Sequence, residues 1–228
     1  MSAPYGIGIV GVGHHLPTQI EDNETLCQRL DVEPEWILEK TGIQRRYIAR
    51  PEEHASDYAL AAARNAMAMA GITADQLDLI ICCTFSGDYI FPPLSAKLHH
   101  ELGAKGAQVF DLQVNCTGVV TGLTVAADRM LVDETVRNAL VVGVELNSRY
   151  VDRSDVNTAI YLSDGAGAVV LGRRPQGEGI QASAFHTDSS NYEAVRMRGG
   201  GSSYPAMNPS REPSADTMEM NEIGRAHV

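Results

Sequence analysis

Cys116 lies in the octapeptide DLQVNCTG (111–118), where an apolar stretch gives way to the long run VVTGLTVAADRML. A cysteine at such a junction admits two readings, a nucleophile at a helix start or a small core residue. A helix N-terminus carries roughly half a positive charge on its unpaired N–H groups, which favours thiolate over thiol. The same groups can hold the oxyanion that forms when a thiolate attacks a thioester carbonyl. Thr117 and Gly118 keep the first turn small, so an acyl chain can approach. Strand, sharp turn, nucleophile and helix start thus follow in the order that nucleophilic catalysis requires. Against this, buried cysteines are common and pack as small hydrophobes.

Other chemistries find little support. Cys27, Cys82, Cys83 and Cys116 show no metal-type CxxC spacing, so no metal site is expected and the thiols read as reduced and cytosolic. Cys82 and Cys83 are adjacent and should face opposite sides of a strand. His14, His15, His54, His99, His100, His186 and His227 are scattered; most read as solvated or structural, and His227 belongs to an anomalous tail. GIGIVG (6–11) formally fits the dinucleotide pattern GxGxxG, but HHLP follows it and no helix opens there, so the match is fortuitous. A formal charge of −11 disfavours nucleic acid or an anionic membrane as a partner. No apolar run reaches about 18 residues, and no basic region precedes the short apolar start, so neither a membrane span nor a secretory signal is expected.

The elements that would position Cys116 follow from periodicity and capping residues. GIGIVGVG (6–13) reads as a strand, and PEWILEK (34–40) as a short helix opened by Pro34 and closed by Gly42. A longer helix is expected from a Ser56 N-cap to Met69, lying between layers because its apolar residues surround the axis. Thr73 and Gln76 fit a capping box. DLIICCT (78–84) is a continuous apolar strand, as in a sheet covered on both faces. Then come a helix near LSAKLHHELG (94–103), a strand AQVFDL (107–112), the Cys116 helix, and strands NALVVGVEL (138–146) and GAGAVVLG (165–172). Alternating strands and helices predict an α/β domain with a mainly parallel sheet. The Cys116 helix carries no charge from Cys116 to Ala127, so it is expected to be enclosed between two sheets. IQASAFHTD (180–188) reads as a further strand, and 197–216, rich in Gly, Ser and Pro, as a surface loop.

Several blocks, in order and at consistent spacing from about residue 6 to about 220, resemble the first half of the β-ketoacyl-acyl-carrier-protein synthase III family, within the thiolase-like superfamily. EWILEKTGIQRRYIA (35–49) resembles that family's E-W-I-x-x-R/K-T-G-I-x-x-R-x-I/F-A block, and Phe91–Pro92 its F-P after the second strand. DLQVNCTG resembles the nucleophile segment, ALVVGVE the strand after it, and SDGAGAVVL (163–171) the G-D-G-A-G-A-x-V-L block. The resemblance implies a thiolase-like layered αβαβα fold of which residues 1–172 supply the N-terminal half. Residues 173–221 would be a connection leading into the second half, with TMEMNE (217–222) the start of that half's first helix.

The resemblance also implies a reaction. An acyl group passes from acyl-coenzyme A to Cys116 as a thioester, and the carbanion left by decarboxylation of malonyl-acyl carrier protein then attacks it. No cofactor is implied, acyl-coenzyme A being a substrate, and the family is a homodimer. By position, Trp36 would stack on the adenine of coenzyme A, Lys40 would lie near its phosphates, and Phe91 would cross the dimer interface to shape the partner's acyl pocket. Val156 occupies a place where relatives often carry an adenine-clamping arginine, so the donor could be another thioester. The family's catalytic His and Asn belong to its second half, so this chain alone is expected to be inactive in condensation. The alternatives are a non-decarboxylating acyltransferase of specialised metabolism and a non-catalytic subunit of a heterodimeric synthase, although the latter commonly loses the nucleophile. The closing residues EIGRAHV (222–228) read as the in-frame translation of a sequencing-adapter core whose next codon is a stop. They are expected to be adapter translation rather than natural protein.

Overall fold

A computed structural model describes residues 5–221 of the chain. The elements in order are β1 (Gly6–His15), β2 (Gln19–Asp22), α1 (Asn23–Cys27), α2 (Pro34–Thr41), β3 (Arg45–Ile48), α3 (Ala55–Ala70) and β4 (Leu79–Cys83). They continue with α4 (Leu94–Leu102), β5 (Gln108–Leu112), α5 (Gly118–Val132), β6 (Asn138–Leu146), α6 (Val156–Ala159) and β7 (Asp164–Arg174). Two-residue strands β8 (Val195–Arg196) and β9 (Glu219–Met220) pair with each other. The chain divides into two compact units. One holds the described residues up to Pro17, Ala49–Glu145 and Gly165–Ala184; the other holds Thr18–Ile48, Leu146–Asp164 and the described residues from Phe185 onward. The possible adapter-derived residues 222–228 lie outside the described residues.

The first unit is built on a five-stranded sheet in the order β1-β7-β6-β4-β5. β4 runs parallel to both β5 and β6, whereas β1 pairs antiparallel with β7, so the sheet is mixed. All five β4 residues are buried, because its two faces are both covered. Leu79, Ile80 and Ile81 each remove a branched side chain from water, worth about 1.5–3 kcal/mol apiece. Leu79, Ile81 and Cys83 share a core with Ala126, Ala127 and Met130 of α5, and Ile80 and Cys82 point to the opposite face. The β1–β7 register slips at a bulge between Ile9 and Gly11. Ile7 therefore joins the core beneath α5, while Gly11 and Gly13 face α3. A Cβ on Gly13 would come within 2.3 Å of the Ala62 carbonyl oxygen, so only glycine admits the helix this closely.

Five expectations need correction. α3 begins one residue before the proposed cap: His54 is the N-cap, in a reciprocal capping box with Asp57. Nor do its apolar residues enclose the axis, since Arg64, Asn65 and Met69 are exposed. α5 is not enclosed between two sheets. Its sheet-side residues are buried, but Val120 is 60% and Val132 83% exposed, because this unit supplies one sheet only. IQASAFHTD forms no strand among the described residues. The Ile180 N–H donates to the Ile7 carbonyl at 2.7 Å, and from Gln181 to His186 the segment is exposed. Finally, Glu219–Met220 pair as β9 with β8, in place of the expected helix start at 217–222.

The second unit packs α1, α2 and α6 around Leu26, Leu30, Ile37, Val151, Ala159 and Ile160. Arg46 is fully buried there without a carboxylate partner among its contacts. Its guanidinium donates to the Ile160 carbonyl and to Asn23 Oδ1 at 2.6 Å, and burial lowers its pKa. Residues 197–216 form turns, closed by the Gly199 N–H to Ala215 carbonyl bond at 2.6 Å.

Candidate functional site

β5 carries the chain to the carboxyl edge of the parallel strands, and there the ladder stops. Asn115 takes φ = 48°, the only non-glycine positive φ among the described residues. This left-handed conformation costs most residues dearly but is tolerated by Asn. It turns the backbone into a one-turn 3-10 segment, Asn115–Thr117, which places Cys116 on the surface. Cys116 thus precedes α5 by one tight turn, and Gly118 is the first α-helical residue. The Thr117 hydroxyl donates to the Val114 carbonyl at 3.1 Å and steadies the turn.

α5 is held against β4 by small residues. A Cβ added at Gly118 would lie 3.0 Å from Cys83 Cβ, and one at Gly122 would lie 2.9 Å from both Cys83 Sγ and Val141 Cγ1. The helix start is therefore pinned directly onto the sheet edge. Cys83 is buried by this contact. Burial first, then the nearby carboxylates of Asp111 and Glu145, push its thiol up to about 11. Cys82 is raised as well, chiefly by burial. All four cysteines are free thiols. No cluster of His, Cys, Asp or Glu among the described residues could hold a metal ion.

Phe91, in the same unit as Cys116, is 83% exposed at the tip of a segment that includes exposed Tyr89 and Ile90. Buried or half-buried carboxylates hold its flanks. Glu145, at the end of β6, accepts from the Phe85 N–H at 3.1 Å and the Ser86 hydroxyl at 2.5 Å. Burial outweighs these bonds and raises the Glu145 carboxyl above its ordinary value. Asp88 accepts from the Ser56 N–H at 2.9 Å and pairs with Lys97 at 2.6 Å. Burial alone would raise Asp88, but the Lys97 and Ser56 hydrogen bonds outweigh it and hold the carboxyl low. Asp111 accepts from the N–H groups of Leu94 and Ser95, at 2.8 and 2.9 Å.

Trp36 and Lys40 belong to the other unit, where both are exposed on α2, four residues apart and so on one helix face. Ile37 between them is fully buried and anchors the helix. Gly42, at φ = 70°, ends it. Val156 packs against the cluster that contains Ile37. Arg153, the cation nearest to it in sequence, is paired with Glu21.

No motif assigns a role to Asn115, Asp88, Asp111 or Glu145. A charged residue inside an apolar strand, as in QVFDL and NALVVGVEL, is the signal that marks two of them.

The family described as 3-oxoacyl-[acyl-carrier-protein (ACP)] synthase III matches residues 110–189, a span that includes Cys116. The β-ketoacyl-acyl-carrier-protein synthase III of Syntrophomonas wolfei is 38% identical over 93% of this chain and 62% of its own length. That of Rhodospirillum centenum is 37% identical over 96% of this chain and 69% of its own length. The crystal structure of 3-oxoacyl-acyl-carrier-protein synthase III from Aquifex aeolicus superposes with a TM-score of 0.82 at 31% identity, covering 94% of this chain and 64% of that one. The chain thus spans roughly two thirds of the length of such relatives, and the likeness extends through the mixed sheet of the thiolase-like fold. With this agreement in sequence and fold, the chain belongs to the β-ketoacyl-acyl-carrier-protein synthase III family.

Proposed function

We propose that this chain is the nucleophile-bearing part of an acyl-thioester condensing enzyme of fatty-acid biosynthesis or a related pathway. The observation that carries the reading is the exposed Cys116 on a tight turn pinned to the start of α5, within the span matched by the family. In this reading the Cys116 thiol loses its proton and attacks the carbonyl of acyl-coenzyme A. Coenzyme A leaves as the thiol, and the acyl group stays on Cys116 as a thioester. Decarboxylation of malonyl-acyl carrier protein then supplies the carbanion that displaces Cys116 and gives the β-ketoacyl product. Trp36 offers an exposed aromatic face for adenine, Lys40 a cation for the phosphates, and Phe91 an apolar tip that shapes the acyl pocket of a second copy. The protein would work as a cytoplasmic homodimer.

His and Asn residues of the family's second half are assigned the decarboxylation, so this chain alone is given the acyl-transfer step only. Incubation with acetyl-coenzyme A followed by intact-mass measurement is the test. One acetyl adduct is expected, absent from Cys116→Ala and not accompanied by condensation with malonyl-acyl carrier protein. A folded wild-type sample with no adduct would overturn the reading.

A further inference from the structure

We propose that Asp111 is a positioning residue that sets which acyl chain lengths are accepted at Cys116 of a second copy, by fixing the Tyr89–Phe91 tip to the strand that precedes the nucleophile turn. The inference rests on the reading of Phe91 given above. α4 begins after Pro93, whose side chain has no acceptor with which to cap a helix. Asp111 supplies the cap from β5 instead. One carboxylate oxygen accepts the Leu94 N–H and the other the Ser95 N–H, both first-turn donors that no helical carbonyl can reach. Leu94 lies three residues from Phe91, and Asp111 lies five residues from Cys116. One side chain therefore ties the helix start that follows the exposed tip to the strand that precedes Cys116.

The other flank of the tip is held separately. Asp88 ties it to Ser56 at the start of α3 and to Lys97, and Glu145 holds Phe85 and Ser86. Neither carboxylate bonds to β5 in these contacts. Removing Asp111 alone should thus leave one flank anchored while the Leu94 side loosens. Phe91 would then take a wider range of positions, and longer chains would gain relative to short ones. Asp111 itself is not assigned any contact with the acyl group.

The test compares the full chain with Asp111→Ala, which deletes both acceptors, and Asp111→Asn, which keeps one. Each is incubated with acetyl- and octanoyl-coenzyme A, and the rate of adduct formation on Cys116 is followed by intact mass. The octanoyl-to-acetyl ratio is expected to rise by about threefold or more in Asp111→Ala, less than the discrimination a well-formed pocket gives per methylene. Asp111→Asn should fall between it and wild type. If the alanine variant does not fold, the asparagine variant decides the matter by the same ratio. A merely structural role would lower both rates by one factor, and that outcome overturns the inference, as does an unchanged ratio. Wild-type adducts with an unchanged ratio in the variants sink this inference and leave the proposed function standing. Absence of any wild-type adduct removes both.

Discussion

Cys83 and Cys116 arrive at one edge of one sheet by the same route, each at or just beyond the end of a parallel strand, and they end in opposite environments. Cys83 is still inside the ladder, in register with Leu112 of β5 and Gly143 of β6. The first turns of α5 cover it, and its thiol is pushed up to about 11. Cys116 lies past the ladder's end. The chain has already turned at Asn115, and the side chain is exposed. Both follow apolar, β-rich residues, so local composition does not separate them. What separates them is whether the backbone leaves the strand before the cysteine or after it. The buried thiol then serves as the packing surface on which the exposed one's helix is seated.

The largest expected effect is kinetic. Under native conditions at neutral pH, iodoacetamide should alkylate Cys116 at least about a hundredfold faster than Cys83, since a buried group reacts only through opening and a raised thiol supplies little thiolate. Timed labelling with peptide mass spectrometry measures both rates together. Similar rates would break the comparison outright. Next in size is Gly122→Val. Its branched side chain would meet Cys83 Sγ and Val141 Cγ1, and overpacking of this kind costs about 1–3 kcal/mol. Urea melts should show a lower midpoint, and the labelling of Cys83 should accelerate. An unchanged midpoint would mean that α5 is not seated as tightly as these distances require.

Much of this was legible in the sequence, and the exceptions have physical causes. The continuous apolar runs placed β4, β6 and β7, because a strand buried on both faces tolerates little else. Gly42 closed α2 in the left-handed conformation, as its position implied. The enclosure expected for α5 does not occur within its own unit, because a charge-free helix reports what its surfaces demand, whereas one sheet covers only one side. IQASAFHTD has the composition of a strand, but strand formation also needs a partner, and that is a non-local property. At the candidate site, the junction between strand and helix at Cys116 could be read from its neighbours. The turn at Asn115 is a backbone conformation that residue type alone does not announce, and the clamps made by Asp88, Asp111 and Glu145 depend on contacts distant in sequence, up to 60 residues apart for Glu145 and Phe85.

The smallest expected effect concerns Glu145, one of the two carboxylates beside Cys83. Burial raises its pKa in the folded state above the ordinary carboxylate value, so folding disfavours its ionised form. The sign follows from linkage. Above the raised folded value the ionised group costs stability. As pH falls through that value the folded protein takes up a proton before the unfolded chain does, and stability is regained. Glu145→Gln removes the charge while keeping one acceptor, for the Phe85 N–H, and its amide N–H can donate to the Ser86 hydroxyl oxygen in place of accepting from it. The variant should therefore be more stable than wild type at pH 8, by no more than about 1 kcal/mol, with the difference vanishing near pH 4. Thermal melts at the two pH values measure this. A variant less stable at pH 8 would show that the ionised form is a net support for the 84–86 turn. The same substitution removes one negative neighbour of Cys83, so its thiol should titrate lower and its labelling should rise slightly. Labelling of Cys116 should stay as it was, because the environment that separates the two cysteines would change on one side only.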